Sequence, residues 1–254
     1  MKTKVCHFTS GHDSYDERVF AKQCCTLYKA GYDIFLVTPT NENEERNGVH
    51  IRGANVEGHS RFLRMLLTSR KVYKRAISIN ADIYHFHDPE LIPYALKLKK
   101  LGKKVIFDSH EDTPMDILAK EWIPSVFRPF ISKLYSIYES YAVKKFDGVI
   151  SITPHVVDRL KEINPNTCLV TNYPIINVDY DENEYEELLN KKYSDSKIKR
   201  TICYIGRISN ESMQKNIVKS LKNLNNISYV LAGPADSKYI DMLSRIPGGE
   251  RITY

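Results

Sequence analysis

Four polar segments that contain histidine follow short apolar segments in the first 174 residues of the chain. The chain has eight histidines in all, and the four segments are Ser10–Asp13, His85–Glu90, Asp108–Asp112 and Thr153–His155. In the first three segments a carboxylate directly follows a histidine. Imidazoles and carboxylates within reach of one another can exchange protons, bind polar ligands or hold a metal ion. The pattern predicts one chemically active site, provided that the fold brings the segments together.

The elements around these segments predict such a fold. Strands are predicted before each histidine loop, and helical patterns lie between them. Alternating strands and helices favour a parallel sheet with helices on both faces. In such a sheet the carboxyl ends of the strands open on one edge, where ligands bind. The predicted strands are Lys4–Thr9, Asp33–Thr38, Ile83–His87, Lys104–Ser109, Gly148–Thr153 and Cys168–Thr171.

Three helices are predicted in this region, over Asp16–Ala30, Glu90–Leu101 and Pro129–Phe146. In the first, Phe20, Cys24 and Leu27 share one face. The third begins with a proline, which suits the first position of a helix. Its apolar periodicity predicts one buried stripe, formed by Phe130, Leu134, Ile137 and Tyr141.

His110 is the strongest candidate for chemistry, because it stands where a central strand meets the cleft. For other residues structural roles compete with site roles. One of His85 and His87, which share a strand face, can be a packed core histidine. Asp13 and Asp88 can be helix caps. Glu111 and Asp112 can be solvated loop charges.

The composition of the chain limits the classes of function that we expect. The chain of 254 residues carries a net charge of +6, a mild excess that suits a phosphate-bearing ligand or an acidic membrane surface. No nucleic-acid-binding module is recognisable, so nucleic acid is not an expected partner. The five cysteines form no C-x-x-C pair, which argues against zinc and a disulfide framework. No signal peptide or spanning segment is recognised, so we expect a cytoplasmic protein, with any membrane contact peripheral.

One segment favours such contact. Ser60–Asn80 has the pattern of a basic amphipathic helix, which can rest on an anionic membrane surface. A solvated helix with one face on the sheet explains the pattern equally well. The alternating residues are Arg61, Phe62, Leu63, Arg64, Leu66, Leu67, Arg70, Lys71, Val72, Lys74 and Arg75.

The chain is predicted to contain two α/β regions. Residues 1–174 form a Rossmann-like domain, 175–200 a charged linker, and 201–254 the start of a second domain. The second region is predicted to contain strands at Thr201–Gly206 and Ser228–Ala232, a helix at Met213–Leu224, and a strand beginning at Glu250–Tyr254. It has about 55 residues, against roughly 100–150 for a typical domain, so we expect it to be incomplete.

Several segments together resemble glycosyltransferase family 4. HDSYDERVFAKQ, DIYHFHDPELIPYAL, KVIFDSHED, EWIP and GVISITP, in this order, resemble its N-terminal domain, and ICYIGRIS and YVLAGP resemble the opening of its C-terminal domain. The resemblance implies an α/β fold of GT-B type, with two Rossmann-like domains, the second incomplete here. It also implies a retaining glycosyltransferase that needs no metal or other cofactor and uses a nucleotide-sugar. The expected acceptor is a cell-surface polysaccharide or glycolipid, at the inner face of the cell membrane.

The resemblance also suggests roles for particular residues. His110 matches a histidine beside the donor sugar, and Arg207 an arginine that meets the donor pyrophosphate. A guanidinium suits the negative charge of a departing nucleoside diphosphate. His110 is therefore predicted to be catalytic. Binding roles are predicted for Gly11, His12, Asp13, His87, Asp88, Glu90, Glu111 and Arg207.

Three departures from the family pattern leave alternatives open. The basic-Gly pair expected after Arg207 is Ser212-Met213, with Lys215 displaced, and the first loop lacks paired glycines. The family pattern also has two glutamates, seven residues apart, that hold the ribose and sugar of the donor, and their expected positions lie beyond Tyr254. The chain can therefore be a non-catalytic acceptor-binding half that needs a separate donor domain. A less favoured alternative is a metal-dependent hydrolase.

That hydrolase would gather its metal ligands from two of the histidine loops. They would be His85, His87, Asp88, His110 and Asp112.

Overall fold

The computed structural model contains two compact units, Met1–Pro174 and Ile175–Tyr254. It describes residues 2–56, 61–120, 122–174, 200–210, 212–224 and 227–254, with side chains from 67 onward in the second of these ranges. The predicted linker, 175–200, lies almost wholly outside the described residues. Among the described residues, no helix is both long and apolar enough to cross a bilayer.

The first unit is built on an eight-stranded sheet, which confirms the predicted parallel α/β fold. The strand order is β3-β4-β2-β1-β5-β6-β7-β8, and every pair is parallel except β3 with β4. The strands are β1 (Lys4–Phe8), β2 (Asp33–Thr38), β3 (Asn43–Arg46), β4 (Val49–Gly53), β5 (Ile83–Phe86), β6 (Lys104–Ser109), β7 (Gly148–Ser151) and β8 (Thr167–Leu169).

The described residues of this unit include six helices. The first, α1, begins as a π-helical stretch, Glu17–Cys24, and continues as an α-helix over Cys25–Lys29. A 3₁₀ turn, Pro89–Leu91, directly precedes the third helix, α3. The others are α2 (Arg61–Ser78), α3 (Ile92–Lys100), α4 (Thr113–Ala119), α5 (Arg128–Val143) and α6 (Pro154–Lys161).

The β1 strand shows how the sheet separates two cores. Cys6 and Phe8 point to the face that packs against α2, α3, α5 and α6. Val5, which precedes them in the alternation, points to the face covered by α1. His7 also points to the α1 face, and it is fully buried there. A polar cluster is therefore enclosed under α1, while the opposite face of the sheet is apolar.

The start of α1 is fixed by Asp16. Its side chain accepts hydrogen bonds from the backbone N–H groups of Arg18 and Val19, which would otherwise lack partners at the helix end. Phe20 and Cys24 are buried as predicted, and Leu27 packs at the edge of the same core.

The predicted buried stripe of α5 is wrong. Phe130, Leu134, Ile137 and Tyr141 are exposed, and the helix instead buries a stripe containing Glu139. That side packs Ala142 and Val143 into the core, and there the Glu139 carboxylate binds Nη1 of Arg159 on α6 at 2.6 Å. Two stripes with the same helical spacing compete on α5, and the contacts with the core and with α6 select the more polar one.

The hairpin of β3 and β4 was not predicted, although the sequence carries its signal. Asn47 and Gly48 form its two-residue turn, with φ of 50° and 77°. An Asn-Gly pair is the common choice for a turn with positive φ at both residues.

The second unit contains a three-stranded parallel sheet in the order β11-β10-β9. Its strands confirm the predicted restart of the β-α alternation. Gly233, with φ of 135°, lies so close to the carbonyl of Gly206 that a Cβ would come within 2.2 Å of that oxygen. The elements are β9 (Arg200–Ile205), α7 (Gln214–Leu221), β10 (Ile227–Ala232), α8 (Ser237–Arg245) and β11 (Ile252–Thr253).

Candidate functional site

Three neighbouring parallel strands bring histidines that are distant in sequence into contact. In the register of β1 and β5, His7 lies opposite His85, and their ring centroids are 4.3 Å apart. His87 stacks on His85 with centroids 4.8 Å apart. All three rings point to the α1 face and are buried. The sheet edge therefore carries a packed layer of imidazoles.

Nitrogen atoms connect three histidines from the interior to the cleft. His7 Nδ1 lies 3.1 Å from His87 Nε2, and His87 Nδ1 lies 3.2 Å from His110 Nε2. A neutral imidazole has one donor and one acceptor nitrogen, so each ring in this chain can donate to the next. His87 thus orients His110, whose side chain is partly exposed.

Asp108 lies at the centre of this cluster. Its carboxylate is fully buried and is bound by Nη2 of Arg18, at 2.9 Å from Oδ1 and 3.1 Å from Oδ2. Gln23 Nε2 reaches Oδ2 at 2.5 Å. A buried charge is stable only when it is paired and hydrogen-bonded. Helix α1 supplies both the cation, Arg18, and a further hydrogen-bond donor, Gln23.

Three imidazole nitrogens also surround the Asp108 carboxylate. They are Nε2 of His85, Nδ1 of His87 and Nε2 of His110, each 3.6 Å from a carboxylate oxygen. Burial alone would raise the pKa of Asp108, but attraction from His110, His85 and His87 holds that pKa well below its usual value. Asp108 is therefore ionised.

Burial has the opposite consequence for the inner histidines. Desolvation lowers the pKa of His87 to about 4, with His85 and His110 adding to the effect. Desolvation and the neighbouring His85 and His87 lower the pKa of His7 well below its usual value. Both rings are neutral near pH 7, so the chain of imidazoles holds uncharged donors and acceptors beside one ionised carboxylate.

His110 opens onto a cleft of about 270 Å³ at the carboxyl edge of the sheet. Imidazoles and carboxylates dominate its wall, which suits a ligand with many hydroxyl groups. It is lined by His12, His87, Asp88, Pro89, Glu90, Phe107, Ser109, His110, Glu111, Thr113, Asp116 and Lys120.

Asp88 binds the loop after β1 and makes no side-chain cap on the turn that follows it. Its Oδ2 accepts from Thr9 Oγ1 and from the Ser10 N–H, both at 2.7 Å. Ser10 Oγ also donates to Glu90 at 3.0 Å. A Cβ on Gly11 would come within 2.8 Å of Asp88 Oδ1, so this close approach favours glycine.

His12 lies on the other side of the cleft. Its Nδ1 is 2.9 Å from Asp16 Oδ2, and its ring centroid is 4.9 Å from that of His110. The hydrogen bond to Asp16 raises the pKa of His12. His12 and His110 are thus adjacent imidazoles, one of which is held by a carboxylate.

Two carboxyl groups in the cleft hold protons more tightly than usual. Burial, with repulsion from Asp88, raises the pKa of Glu90. Burial and the neighbouring Glu111 raise the pKa of Asp116 to about 6. At a pH above these raised values the cleft presents carboxylates, which accept hydrogen bonds from hydroxyl groups.

Most of the candidate residues meet in this cleft. His12, His87, Asp88, Glu90, His110 and Glu111 all line it. Gly11 lies beside Asp88. Asp13 is exposed and accepts from the Tyr15 N–H at 2.8 Å. Arg207 belongs to the second unit, where its side chain is exposed and its backbone carbonyl accepts from the Tyr204 hydroxyl.

The fourth histidine loop does not join the others. His155 is 66% exposed and contacts Asp112 at 3.2 Å, and Asp112 also lies 3.5 Å from Arg159. The ligand set that a hydrolase would need, with Asp112 beside His110, is therefore not assembled in the way the sequence suggested.

Other atoms come closer to a metal-binding arrangement. The described residues contain two groups of three side chains in which the possible ligand atoms lie within 4.8 Å of one another. One group is His7, His85 and His87, and the other is His87, Asp108 and His110. Arg18 already supplies a positive charge at Asp108, which opposes a second cation there.

Sequence reasoning missed His7 and Arg18 as parts of the site, and it included Asp108 only as the start of the segment Asp108–Asp112, without a role. Each of the three lies inside a predicted strand or helix, where the pattern indicates only a buried or an exposed face. The available signal was a charged or titratable residue in an otherwise apolar, buried element, since such residues are rarely buried without a partner.

The sequence profile described as Glycosyltransferase Family 4 matches residues 17–180. No curated protein matches the sequence at a significant level.

Solved structures share the fold at low identity. Sucrose-phosphate synthase from Thermosynechococcus elongatus superimposes with a TM-score of 0.74 at 14% identity, covering 100% of this chain and 70% of that one. HepE from Anabaena, in complex with UDP and glucose, gives 0.63 at 13% identity, with coverages of 100% and 68%. WaaG, a glycosyltransferase involved in lipopolysaccharide biosynthesis, gives 0.65 at 12% identity, with coverages of 99% and 69%.

We predict that Arg18→Met destabilises the first unit by about 3–5 kcal/mol, because it leaves the Asp108 carboxylate buried without its cation. The chain has one tryptophan, Trp122, so its fluorescence during urea unfolding reports on this unit. Lys22→Met is the control, since Lys22 binds the exposed Glu17 and should cost less than about 1 kcal/mol. Equal, small effects of both changes would show that the buried pair is not needed.

The low pKa of His87 predicts a pH-dependent contribution to stability. Because the folded-state pKa, about 4, lies below the unfolded value of about 6.5, the unfolded state binds more protons between these values. The free energy of unfolding therefore falls as the pH drops from 6.5 towards 4. His12, Glu90 and Asp116 have raised pKa values and act in the opposite direction, so a variant must isolate His87.

His87→Gln should destabilise the protein by about 2 kcal/mol less at pH 5 than at pH 7, as measured by urea unfolding at both values. The same destabilisation at the two pH values would mean that His87 titrates normally.

Proposed function

Because this chain belongs to glycosyltransferase family 4, we propose that it is the acceptor-binding part, with the start of the donor-binding part, of a retaining glycosyltransferase of GT-B fold. The donor is a nucleotide-sugar, and the acceptor is a hydroxyl-rich glycan that enters the cleft beside His110. The observation that carries this proposal is the cleft itself, where His110 stands among carboxylates at the carboxyl edge of a parallel sheet.

The acceptor class follows from the wall of the cleft. Asp88, Glu90, Glu111 and Asp116 line it with one lysine, Lys120. Carboxylates accept hydrogen bonds from sugar hydroxyls but repel phosphate and carboxylate groups. The sugar unit that enters this cleft is therefore proposed to be uncharged. A lipid carrier or a longer glycan would stay outside.

His110 is proposed to be the residue nearest the reacting carbon, with His87 as the residue that positions it. The 3.2 Å contact between the two rings fixes the orientation of the His110 ring. The neutral state of His87 leaves it able to donate to or accept from His110. Position and hydrogen bonding of this kind act on developing charge in the transition state.

The donor site is proposed for the second unit, by family resemblance and by its relatives. HepE structures contain UDP or UDP-glucose. Arg207 follows β9 and is exposed, so its guanidinium is accessible to a diphosphate. The predicted location, the cytoplasm with peripheral contact to the inner face of the cell membrane, remains a prediction.

In a form of the protein with a complete donor-binding domain, we predict that His110→Ala and Arg207→Ala each lower sugar transfer by roughly 100-fold or more without unfolding the protein. Release of nucleoside diphosphate from UDP-glucose, in the presence of a glycan acceptor, measures the rate. His155→Ala is the matched control, because this exposed imidazole lies outside the cleft and should leave the rate within about twofold. Near-normal transfer by folded His110→Ala would contradict the assignment.

The same assay separates the two family-based alternatives. Binding of a glycan to the cleft, perturbed by His110→Ala but without transfer by the 254-residue chain, would support an acceptor-binding half. Transfer that keeps the anomeric configuration of the donor, as read by NMR of the product, would support the complete retaining mechanism.

We also predict that transfer does not depend on a bound metal ion. Treatment with a chelator should leave the rate unchanged, because Arg18 already neutralises Asp108. Metal analysis of the purified protein is the second measurement. Stoichiometric zinc or manganese that disappears in His110→Ala would favour the hydrolase alternative instead.

A further inference from the structure

The outer side of α5 exposes a continuous apolar ridge. Phe130, Leu134, Ile137 and Tyr141 are 63%, 52%, 60% and 55% exposed. Their spacing of four, three and four residues places them on one side of the helix. Exposed apolar residues continue into the segment before α5, where they are Trp122, Val126 and Phe127. Monomeric proteins rarely expose so large a contiguous apolar surface without a partner for it.

The exposed charges in the segment that carries this ridge are all positive. Between residues 122 and 145, the exposed charged side chains are Lys133, Lys144 and Lys145. The one carboxylate of α5, Glu139, is buried against Arg159. The Lys145 ammonium lies 4.2 Å from the centroid of the Tyr141 ring.

Two helices beside α5, namely α3 and α2, carry further basic side chains. Side chains from α3 and α5 line a shared groove that includes Lys97, Lys100 and Lys145. On the other side of α3, Tyr94 stacks on Tyr73 of α2 with centroids 4.9 Å apart. The three helices therefore lie side by side on one face of the sheet.

The composition of α2, α3 and α5 is strongly biased. Together their sequences contain one Asp or Glu, the buried Glu139, although the whole chain has 31 in 254 residues. On α2 the exposed side chains include Arg70 and Lys74. We call the outer sides of these three helices the basic face, and the exposed residues of α5 its apolar ridge.

We propose that the basic face docks on an anionic lipid bilayer, with the apolar ridge among the upper acyl chains and the lysines at the headgroups. Aromatic and aliphatic side chains surrounded by Lys and Arg are the composition of interfacial helices. A second copy of the chain is a poorer occupant, because two uniformly basic faces would repel each other.

This proposal extends the predicted contact of residues 60–80 and builds on the proposed function. A second groove connects the basic face to the cleft: it is lined by Tyr94 and Tyr138, and it shares Pro89 and Glu90 with the cleft. A lipid-linked acceptor lying in the bilayer would thus have a short path to His110.

Co-sedimentation of the 254-residue chain with vesicles tests the proposal. Binding is expected to phosphatidylcholine vesicles that contain phosphatidylglycerol, at low salt, and to weaken without the anionic lipid. The double variant Phe130→Glu/Lys133→Glu on α5 should lose at least about tenfold in binding, since it removes an apolar anchor and reverses a charge.

The matched control is Tyr28→Glu/Lys29→Glu, which makes the same changes on α1, on the opposite face of the sheet. It should bind as the unchanged chain does. Arg70→Glu/Lys74→Glu should weaken binding through charge alone. Equal binding by the α5 variant and the control would overturn the proposal, as would loss of binding confined to the α2 variant.

Two further measurements distinguish membrane docking from self-association and from the transferase function. A dimer that forms without lipid, and that the α5 variant abolishes in analytical ultracentrifugation, would assign the ridge to self-association and contradict membrane docking. Transfer to a water-soluble glycan should be unchanged in the α5 variant. Failure of vesicle binding would therefore leave the proposed transferase function intact.

Discussion

The ionised carboxylate of Asp108, enclosed between a parallel sheet and one helix, constrains the rest of the first unit. A charge that is fully buried must be compensated by groups of fixed geometry. Arg18 and Gln23 bring α1 to it, and the register of β1, β5 and β6 brings the imidazoles. Arg18 also donates from Nη1 to the Val170 carbonyl at 3.0 Å, so the same guanidinium ties the helix to the chain after the last strand. Sheet, helix and site therefore depend on one another.

This arrangement divides the two faces of the sheet between structure and chemistry. The apolar face, covered by α2, α3, α5 and α6, holds the larger hydrophobic core. The α1 face holds the neutral imidazoles of His7 and His87, which form a chain of nitrogen contacts that ends at His110. Because the inner rings are kept uncharged by burial, the cleft receives a rigid, polar wall without a build-up of positive charge. Such a wall suits a polyhydroxylated ligand better than an anion.

The parallel fold and the meeting of His87 and His110 were predictable from sequence, because strand order and strand ends follow from the alternation of apolar patterns. The interior of the site was not. His7 and Asp108 lie within strands, where pattern reasoning assigns only a buried or an exposed face. The α5 stripe was predicted on the wrong side, since periodicity gives the spacing of a stripe but not its partner. The core contacts of Ala142 and Val143 and the ion pair of Glu139 with Arg159 lie on the opposite side of the helix, and both join elements that are separate in sequence. His155 was grouped with the cleft because it follows a strand, yet it lies beside Asp112.

The central claim is that parallel strands place the His87 and His110 rings in direct hydrogen-bonding contact. Its most direct test is solution NMR of the chain with ¹⁵N-labelled histidine, which detects a scalar coupling between two nitrogens across a shared hydrogen bond. The account predicts such a coupling between His87 Nδ1 and His110 Nε2 at neutral pH. Absence of this coupling, with His87 titrating near the ordinary pKa of histidine, would contradict it.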